Sequence, residues 1–422
     1  EVRNIYETEY DEVLFNYDFL ELDNYELHDR ITYIEGLEYF NAVDKRTGKK
    51  CQACIFTFDF TESKYWDSRN RNYCKINNSI ELNHPSILKF IGYSPYNFEN
   101  EDIPIFITEY TLPSFDLSTF INESSFNDVF DTKRLIILYG IASGMSYLHS
   151  NNIIHRSLNM ISISFDERLF PKITQLSTSI KMSEKPIFRE FDDESEYDFF
   201  VPPERLKNKL ICPASNVYSF GMIAYILLEK REPFCDCKDY FEIIQQIETN
   251  NLRPEFKEED PKCFTKLIEK CWATDPSQRP TFDEISYYLK TNPEFITEKV
   301  DKTEFLNYID FIDKCKSNKT YVQIDDYIKS NNCAFRKVNY DYKKIVDSKK
   351  VHFSIDMGSI EISDYTKLEK IGEGNFGDVY NVIEKKTNKI YAAKISKNSI
   401  DDITDNVDTY NDFIINLTRE IE

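Results

Sequence analysis

A chain of 422 residues has room for about two to three cores, and it carries 73 Asp and Glu against 52 Lys and Arg, a net charge of -21. Such a surface repels nucleic acid and anionic lipid, so neither is expected as a partner. The longest nearly unbroken apolar run, Phe220 to Leu228, is too short to cross a bilayer and reads as a buried core helix.

Ten cysteines scattered through so long a chain point to reduced thiols and a cytoplasmic setting. Cys51 with Cys54, and Cys235 with Cys237, lack the spacing of a zinc knuckle, so no metal is expected on them. No signal peptide opens the chain, and a start at Glu1 reads as a piece of something longer.

In chain order, residues 1–28 are acidic and Tyr-rich, an incoming segment or a first strand. Short apolar runs follow to about Tyr110, including Ile105 to Asp116, IFITEYTLPSFD. Leu135 to Ser150 reads as a helix, and the loop IIHRSLNMISI, Ile153 to Ile163, comes directly after it. PKITQLSTS follows, then the acidic patch Glu190 to Asp198, then VPPERL. In the patch, Ser195 and Tyr197 are read as phosphate acceptors or as plain residues of a solvated loop. Asn216 to Phe234 gives a long apolar helix, and amphipathic helices run to Leu289, among them FEIIQQI and CFTKLIEKCW. In Lys302 to Lys316, helical spacing puts Phe305, Leu306, Ile309 and Ile312 on one face, expected to pack against the preceding body. The rest of 290–360 is polar and rich in Lys and Asp, with partial order at best expected.

IIHRSLNMISI resembles the catalytic loop of protein kinases, His-Arg-Asp-Leu, then Lys, two residues and Asn. His155, Arg156 and Leu158 fit that pattern. Ser157 stands at the catalytic Asp, Asn159 at the Lys and Ser162 at the metal-binding Asn. Gln175, Leu176 and Ser177 align with the metal-binding Asp-Phe-Gly. VPPERL resembles the end of the activation segment, with Glu204 to be paired by Arg279. Asn216 stands where the family's central helix carries the Asp that braces the catalytic loop. The motif around Trp272 is similar to the tyrosine-kinase-like group, and Glu109 to Thr111 is nearest to where an adenine would sit.

The resemblance implies an α+β, bilobal fold over residues 29–289, with an antiparallel small lobe and a helical large lobe. It also implies that the chemistry has gone from it. A serine hydroxyl has no pKa near neutrality and cannot take a proton as a carboxylate does. Gln175 is a neutral, weak partner for Mg²⁺. Losing one positioned proton acceptor alone removes ~10²- to 10⁴-fold of rate. The glycine-loop positions hold Thr32, Ile34 and Leu37, and the strand-Lys position holds Cys54. Its partner Glu falls on Lys75, read either as a substitute phosphate contact or as a solvated helix residue.

That comparison comes from the chain itself. Ile31, Asn41, Lys45, Thr47, Lys49, Ala53 and Ile55 recur at one fixed offset as Ile371, Asn381, Lys385, Thr387, Lys389, Ala393 and Ile395. The second copy carries Gly372, Gly374 and Gly377 within IGEGNFGDV, then Lys394 in YAAKI. A lone GxGxxG also opens dinucleotide-binding helices. Here the glycines precede the strand-like runs Val379–Ile383 and Ile390–Ile395 about a turn, which predicts an antiparallel hairpin. Ile371, Gly372, Glu373, Gly374, Asn375, Phe376, Gly377, Asp378, Val379 and Lys394 are therefore the expected ATP contacts, with Glu420 as the ion-pair partner of Lys394.

The resulting expectation is a pseudokinase unit, a linker over 290–360, and residues 361–422 as the beginning of a second kinase domain. ATP is expected in the second, with Mg in the intact domain, and none in the first. Expected partners are protein substrates or signalling proteins, with the two kinase-like domains docking on each other. The intact protein is expected to phosphorylate Ser/Thr or Tyr. The alternatives are a first domain active through relocated residues, or a purely non-catalytic scaffold.

Overall fold

The computed structural model describes residues 20–34, 37–56, 82–101, 103–176, 179–182, 187–188, 199–235, 240–318, 324–331, 333–335, 365–374, 377–385 and 390–396. The chain divides into two compact units, Glu1–Tyr342 and Lys343–Glu422.

The first unit opens with β1 (Tyr25–Ile34), β2 (Leu37–Asp44), β3 (Lys49–Phe56), β4 (Phe90–Ser94) and β5 (Ile105–Glu109). They form one antiparallel sheet in the order β1-β2-β3-β5-β4. Strand alternation divides its residues between two faces. Tyr25, Ala42, Cys51, Ala53, Ile105 and Ile107 make a small core on one face. Gln52 and Cys54 of β3 lie on the other, opposite Thr108 and Phe106 of β5.

The large lobe begins with α1 (Leu117–Asn122) and α2 (Phe130–Ser150), followed by the short strands β6 (Ile153–Ile154), β7 (Ile163–Phe165), β8 (Pro171–Ile173), β9 (Ile180–Lys181) and β10 (Ile187–Phe188). Helix α3 (Pro203–Asn208), strand β11 (Leu210–Ile211), then α4 (Pro213–Glu229), α5 (Tyr240–Asn250), α6 (Lys262–Cys271) and α7 (Phe282–Thr291) complete it. Helix α2 is apolar nearly all round and sits inside the core, as such a helix must. Two of its glycines permit that depth. A Cβ on Gly140 would meet Pro171 Cγ and the Tyr308 hydroxyl at 2.5 Å, and one on Gly144 would meet Ile173 Cδ1 at 2.7 Å. At the start of α7, Thr281 and Glu284 form a reciprocal capping box.

Beyond Leu289 the same compact unit continues. Helices α8 (Lys302–Asn318) and α9 (Ile324–Asn331) pack on the large lobe, and the core continues to Phe335. The expected apolar face of α8 is corrected at one position. Phe305, Ile309 and Ile312 are buried, but Leu306 is 44% exposed and Tyr308, at 1%, completes the stripe. Position 308 completes the i, i+3, i+4, i+7 spacing with 305, 309 and 312, and its hydroxyl reaches Ser86 Oγ at 3.1 Å while its ring packs on Phe170. Within the rest of 290–360, expected to be ordered in part at best, α9 is formed, with its Tyr327 buried against Phe311.

The second unit contributes β12 (Tyr365–Gly374), β13 (Gly377–Glu384) and β14 (Ile390–Ser396), antiparallel and in that order. Its pairing duplicates the first hairpin position by position. Tyr25↔Asp44 and Leu27↔Ala42 recur as Tyr365↔Glu384 and Lys367↔Val382. The same irregularity interrupts both ladders, between Leu27 and Arg30 and between Lys367 and Lys370. Tyr39 faces Cys54 as Val379 faces Lys394. Among the described residues no helix is long and apolar enough to cross a membrane.

Candidate catalytic cleft

The loop from Ile153 to Ile163 leaves α2 and is pinned from below. Asn216, in the first turns of α4, is 1% exposed, and its side-chain oxygen accepts from the His155 backbone N–H at 3.1 Å. The same oxygen lies 3.2 Å from His149 Nε2, which donates to it. An amide thus does the positioning expected of the family's carboxylate while adding no charge. The His155 ring is fully buried, and its Nε2 donates to the Thr174 carbonyl at 2.7 Å, tying the loop to the end of β8. Leu158, 1% exposed, anchors the loop's middle in the core.

Ser162 is committed to this scaffold. It is fully buried, its Oγ donates to the Asn159 carbonyl at 2.8 Å, and the same Oγ accepts from the Asn159 N–H at 3.0 Å. Asn159 Oδ1 accepts from Ser162 N–H at 3.0 Å, and Thr174 N–H donates to the Ser162 carbonyl at 2.8 Å. The hydroxyl closes the loop on itself instead of facing the cleft. Ser157 is partly exposed. Gln175 is exposed, with its backbone in the left-handed region at φ +57°. A metal-neutralised phosphate does not fit this donor set: Ser157, Ser162 and Gln175 are neutral, and Cys54, buried in β3, is uncharged as a thiol.

Across the cleft, Glu109 ends β5, and its carboxylate bridges two segments. One carboxylate oxygen accepts from Lys89 N–H at 2.8 Å, and the other meets Lys172 Nζ of β8 at 3.0 Å. The Ile173 amide donates to the Ser86 carbonyl at 2.8 Å, and the Leu88 amide donates to the Ile173 carbonyl at 2.9 Å. These contacts fasten the small-lobe connection at 86–89 to β8. Immediately beyond Glu109, Thr111 and Gln52 exchange two hydrogen bonds, at 3.1 and 3.0 Å. Neither Lys172–Glu109 nor Gln52–Thr111 was expected. The one sequence signal for the second was that Gln52 recurs in the other copy as Ala392.

The expected Glu204–Arg279 pair is present as a two-pronged contact, both bonds at 2.7 Å and both side chains buried. Lys75, Asn375, Phe376, Glu420 and the patch bearing Ser195 and Tyr197 lie outside the described residues. Among the described residues no cluster of His, Cys, Asp or Glu is arranged to hold a metal ion.

Burial pushes His155 down to about 4, the Thr174 carbonyl opposing only part of that shift. His84 is pushed well down by burial and by the charges of Lys316 and Lys172, and His149 is lowered by burial. Unfolded histidine titrates near 6.5, so below that pH the unfolded chain binds protons that the folded one refuses. Stability of the first unit should be level in this respect above pH 6.5. It should then fall by up to about 1.4 kcal/mol per pH unit per histidine, for His155 until about pH 4, a loss on the order of 3 kcal/mol. Urea unfolding at pH 7.5 and pH 5.0 tests this; equal stabilities at the two pH values would contradict a neutral, buried His155.

Residues 58–289, more than half the chain, match the family model for protein tyrosine and serine/threonine kinases. A putative serine/threonine-protein kinase/receptor of Acanthamoeba polyphaga mimivirus is 31% identical over 52% of this chain and 13% of its own length. The dual specificity protein kinase pyk3 of Dictyostelium discoideum is 27% identical over 65% of this chain and 18% of its own. The tyrosine-protein kinase receptor svh-2 of Caenorhabditis elegans is 30% identical over 49% of this chain and 19% of its own. The chain therefore spans less than a fifth of the length of these curated relatives. With an antiparallel small lobe joined to a helical large lobe, and with the family match running from the small lobe through α7, the chain belongs to the protein tyrosine and serine/threonine kinase family.

Proposed function

We propose that the first unit is a catalytically silent kinase-like module placed ahead of a second kinase domain, which begins near residue 361 and binds ATP. The observation that carries this reading is the pair of register-matched hairpins, of which one bears Gly372, Gly374, Gly377 and Lys394 and the other Thr32, Ile34, Leu37 and Cys54. Glycine lets backbone amides approach phosphate oxygens without a Cβ in the way, and Lys394 supplies the charge. Residues 371–379 and Lys394 would hold the triphosphate, and Mg would be completed by the rest of the intact domain. In the first unit the neutral Ser157, Ser162 and Gln175 support a regulatory or scaffolding role, with docking on the second domain as its route. The intact protein then phosphorylates Ser/Thr or Tyr of protein substrates in signalling.

Thermal stabilisation of the chain by Mg-ATP tests the assignment. Lys394→Ala should weaken binding about tenfold or more, the worth of one charge-assisted contact to phosphate. Cys54→Ala should leave it unchanged. Binding that survives the first substitution and disappears with the second would reverse the assignment.

A further inference from the structure

From the bonds between β3 and the lobe connection, we infer that Gln52 occupies the base end of the first unit's cleft, so that the unit closes its own purine site with a side-chain amide. The inference rests on the reading of this unit as a degenerate kinase cleft, but it concerns the base and not the phosphates or the metal.

Gln52 lies on the face of β3 that is not used by the small-lobe core, together with Cys54, and opposite Thr108 and Phe106. All four are buried. The Gln52 Nε2 donates to the Thr111 carbonyl at 3.1 Å, and the Thr111 hydroxyl donates to Gln52 Oε1 at 3.0 Å. The two residues are 7% and 6% exposed. A primary amide offers one donor and one acceptor side by side, the same complement that the hydrogen-bonding edge of adenine offers. Thr111 belongs to the connection against which the family seats that edge. Its carbonyl is taken up from within, and one residue on, the Leu112 amide donates to the Phe165 carbonyl at 2.7 Å. A purine entering here would have to break both hydrogen bonds of the Gln52 amide and leave a buried donor and acceptor unmet. The register-equivalent position in the second unit is Ala392, which has no side chain long enough to do this.

Photolabelling of the full chain with 2-azidoadenosine, followed by mass spectrometry of the peptides, tests the inference with a probe that carries no phosphate. Wild type should show no saturable label on the peptides containing Gln52 or residues 105–112. Gln52→Ala and Gln52→Ser should both gain label there, by at least about tenfold, since two buried hydrogen bonds no longer oppose entry. Saturable label on those peptides in wild type would overturn the inference, and so would two folded variants without it. Variants that fail to fold would also count against it, because water can replace a side chain that merely plugs a cleft. Label on the peptide containing Lys394 reports separately on ATP binding by the second unit, so the two readings fail independently.

Discussion

A chain ended after Leu289, where the family motifs stop, should lose most of the stability of its first unit, whereas a chain ended after Phe335 should keep it. Helix α8 buries Phe305, Tyr308, Ile309, Phe311 and Ile312 almost completely. At ~1.5–3 kcal/mol for each large apolar side chain, these five account for on the order of 10 kcal/mol as an upper bound. The whole stability of a domain is about 5–15 kcal/mol. The cut also strands Lys133, whose Nζ lies 2.6 Å from Glu304 and 2.8 Å from the Arg168 carbonyl in a site with no solvent exposure. Removing α8 admits water there, which softens that loss and leaves the apolar term dominant. Helix α9 adds a smaller share through Tyr327, which donates to Asp310 at 2.5 Å, and through the Arg168–Asp325 ion pair. Urea unfolding of the two truncated chains measures the difference. Equal midpoints would mean that α8 is an ornament on a body that is complete without it.

The same helix marks how far the sequence could be read. Phe305, Ile309 and Ile312 define a face by spacing alone, and the spacing was correct. Position 306 and position 308 flank that face on opposite sides, and apolarity favoured Leu306. Helical spacing itself favours Tyr308, since 305, 308, 309 and 312 stand at i, i+3, i+4 and i+7, and what the sequence does not show is the remote Ser86 that meets its buried hydroxyl. The bracing by Asn216 and the Glu204–Arg279 pair were legible because the family's motifs name both ends of each contact. Lys172–Glu109 and Gln52–Thr111 were not, since each joins residues that only the folded sheet brings together. In the cleft the sequence shows neutral side chains at Ser157, Ser162 and Gln175. Only the structure showed that the Ser162 hydroxyl is turned back onto Asn159.

Arg279→Ala should cost about 3–5 kcal/mol of first-unit stability, the usual loss when one partner of a buried ion pair is removed. The guanidinium makes both 2.7 Å bonds to Glu204, donates to the carbonyls of Ala273 at 2.8 Å and Ala214 at 2.9 Å, and lies over the Tyr218 ring. Once it is gone, the Glu204 carboxylate keeps, among the described residues, the Ser215 hydroxyl at 2.9 Å, in a site 7% exposed. Arg279→Lys should recover part of the loss, because it restores the charge but not the planar fork that meets both oxygens. Pairing Arg279→Met with Glu204→Leu should recover more, since the cost comes from a stranded charge and an apolar pair strands none. Equilibrium unfolding of the four proteins separates these contributions, and an Arg279→Ala loss below about 1 kcal/mol would show that the site admits water. The consequence reaches the cleft. Ser215 follows the Ala214 carbonyl held by Arg279 and precedes Asn216, whose oxygen positions His155. Loosening the start of α4 should therefore release the loop that ends at Ser162, and amide exchange at His155 and Ser162 should quicken in Arg279→Ala before it does so in α6 or α7.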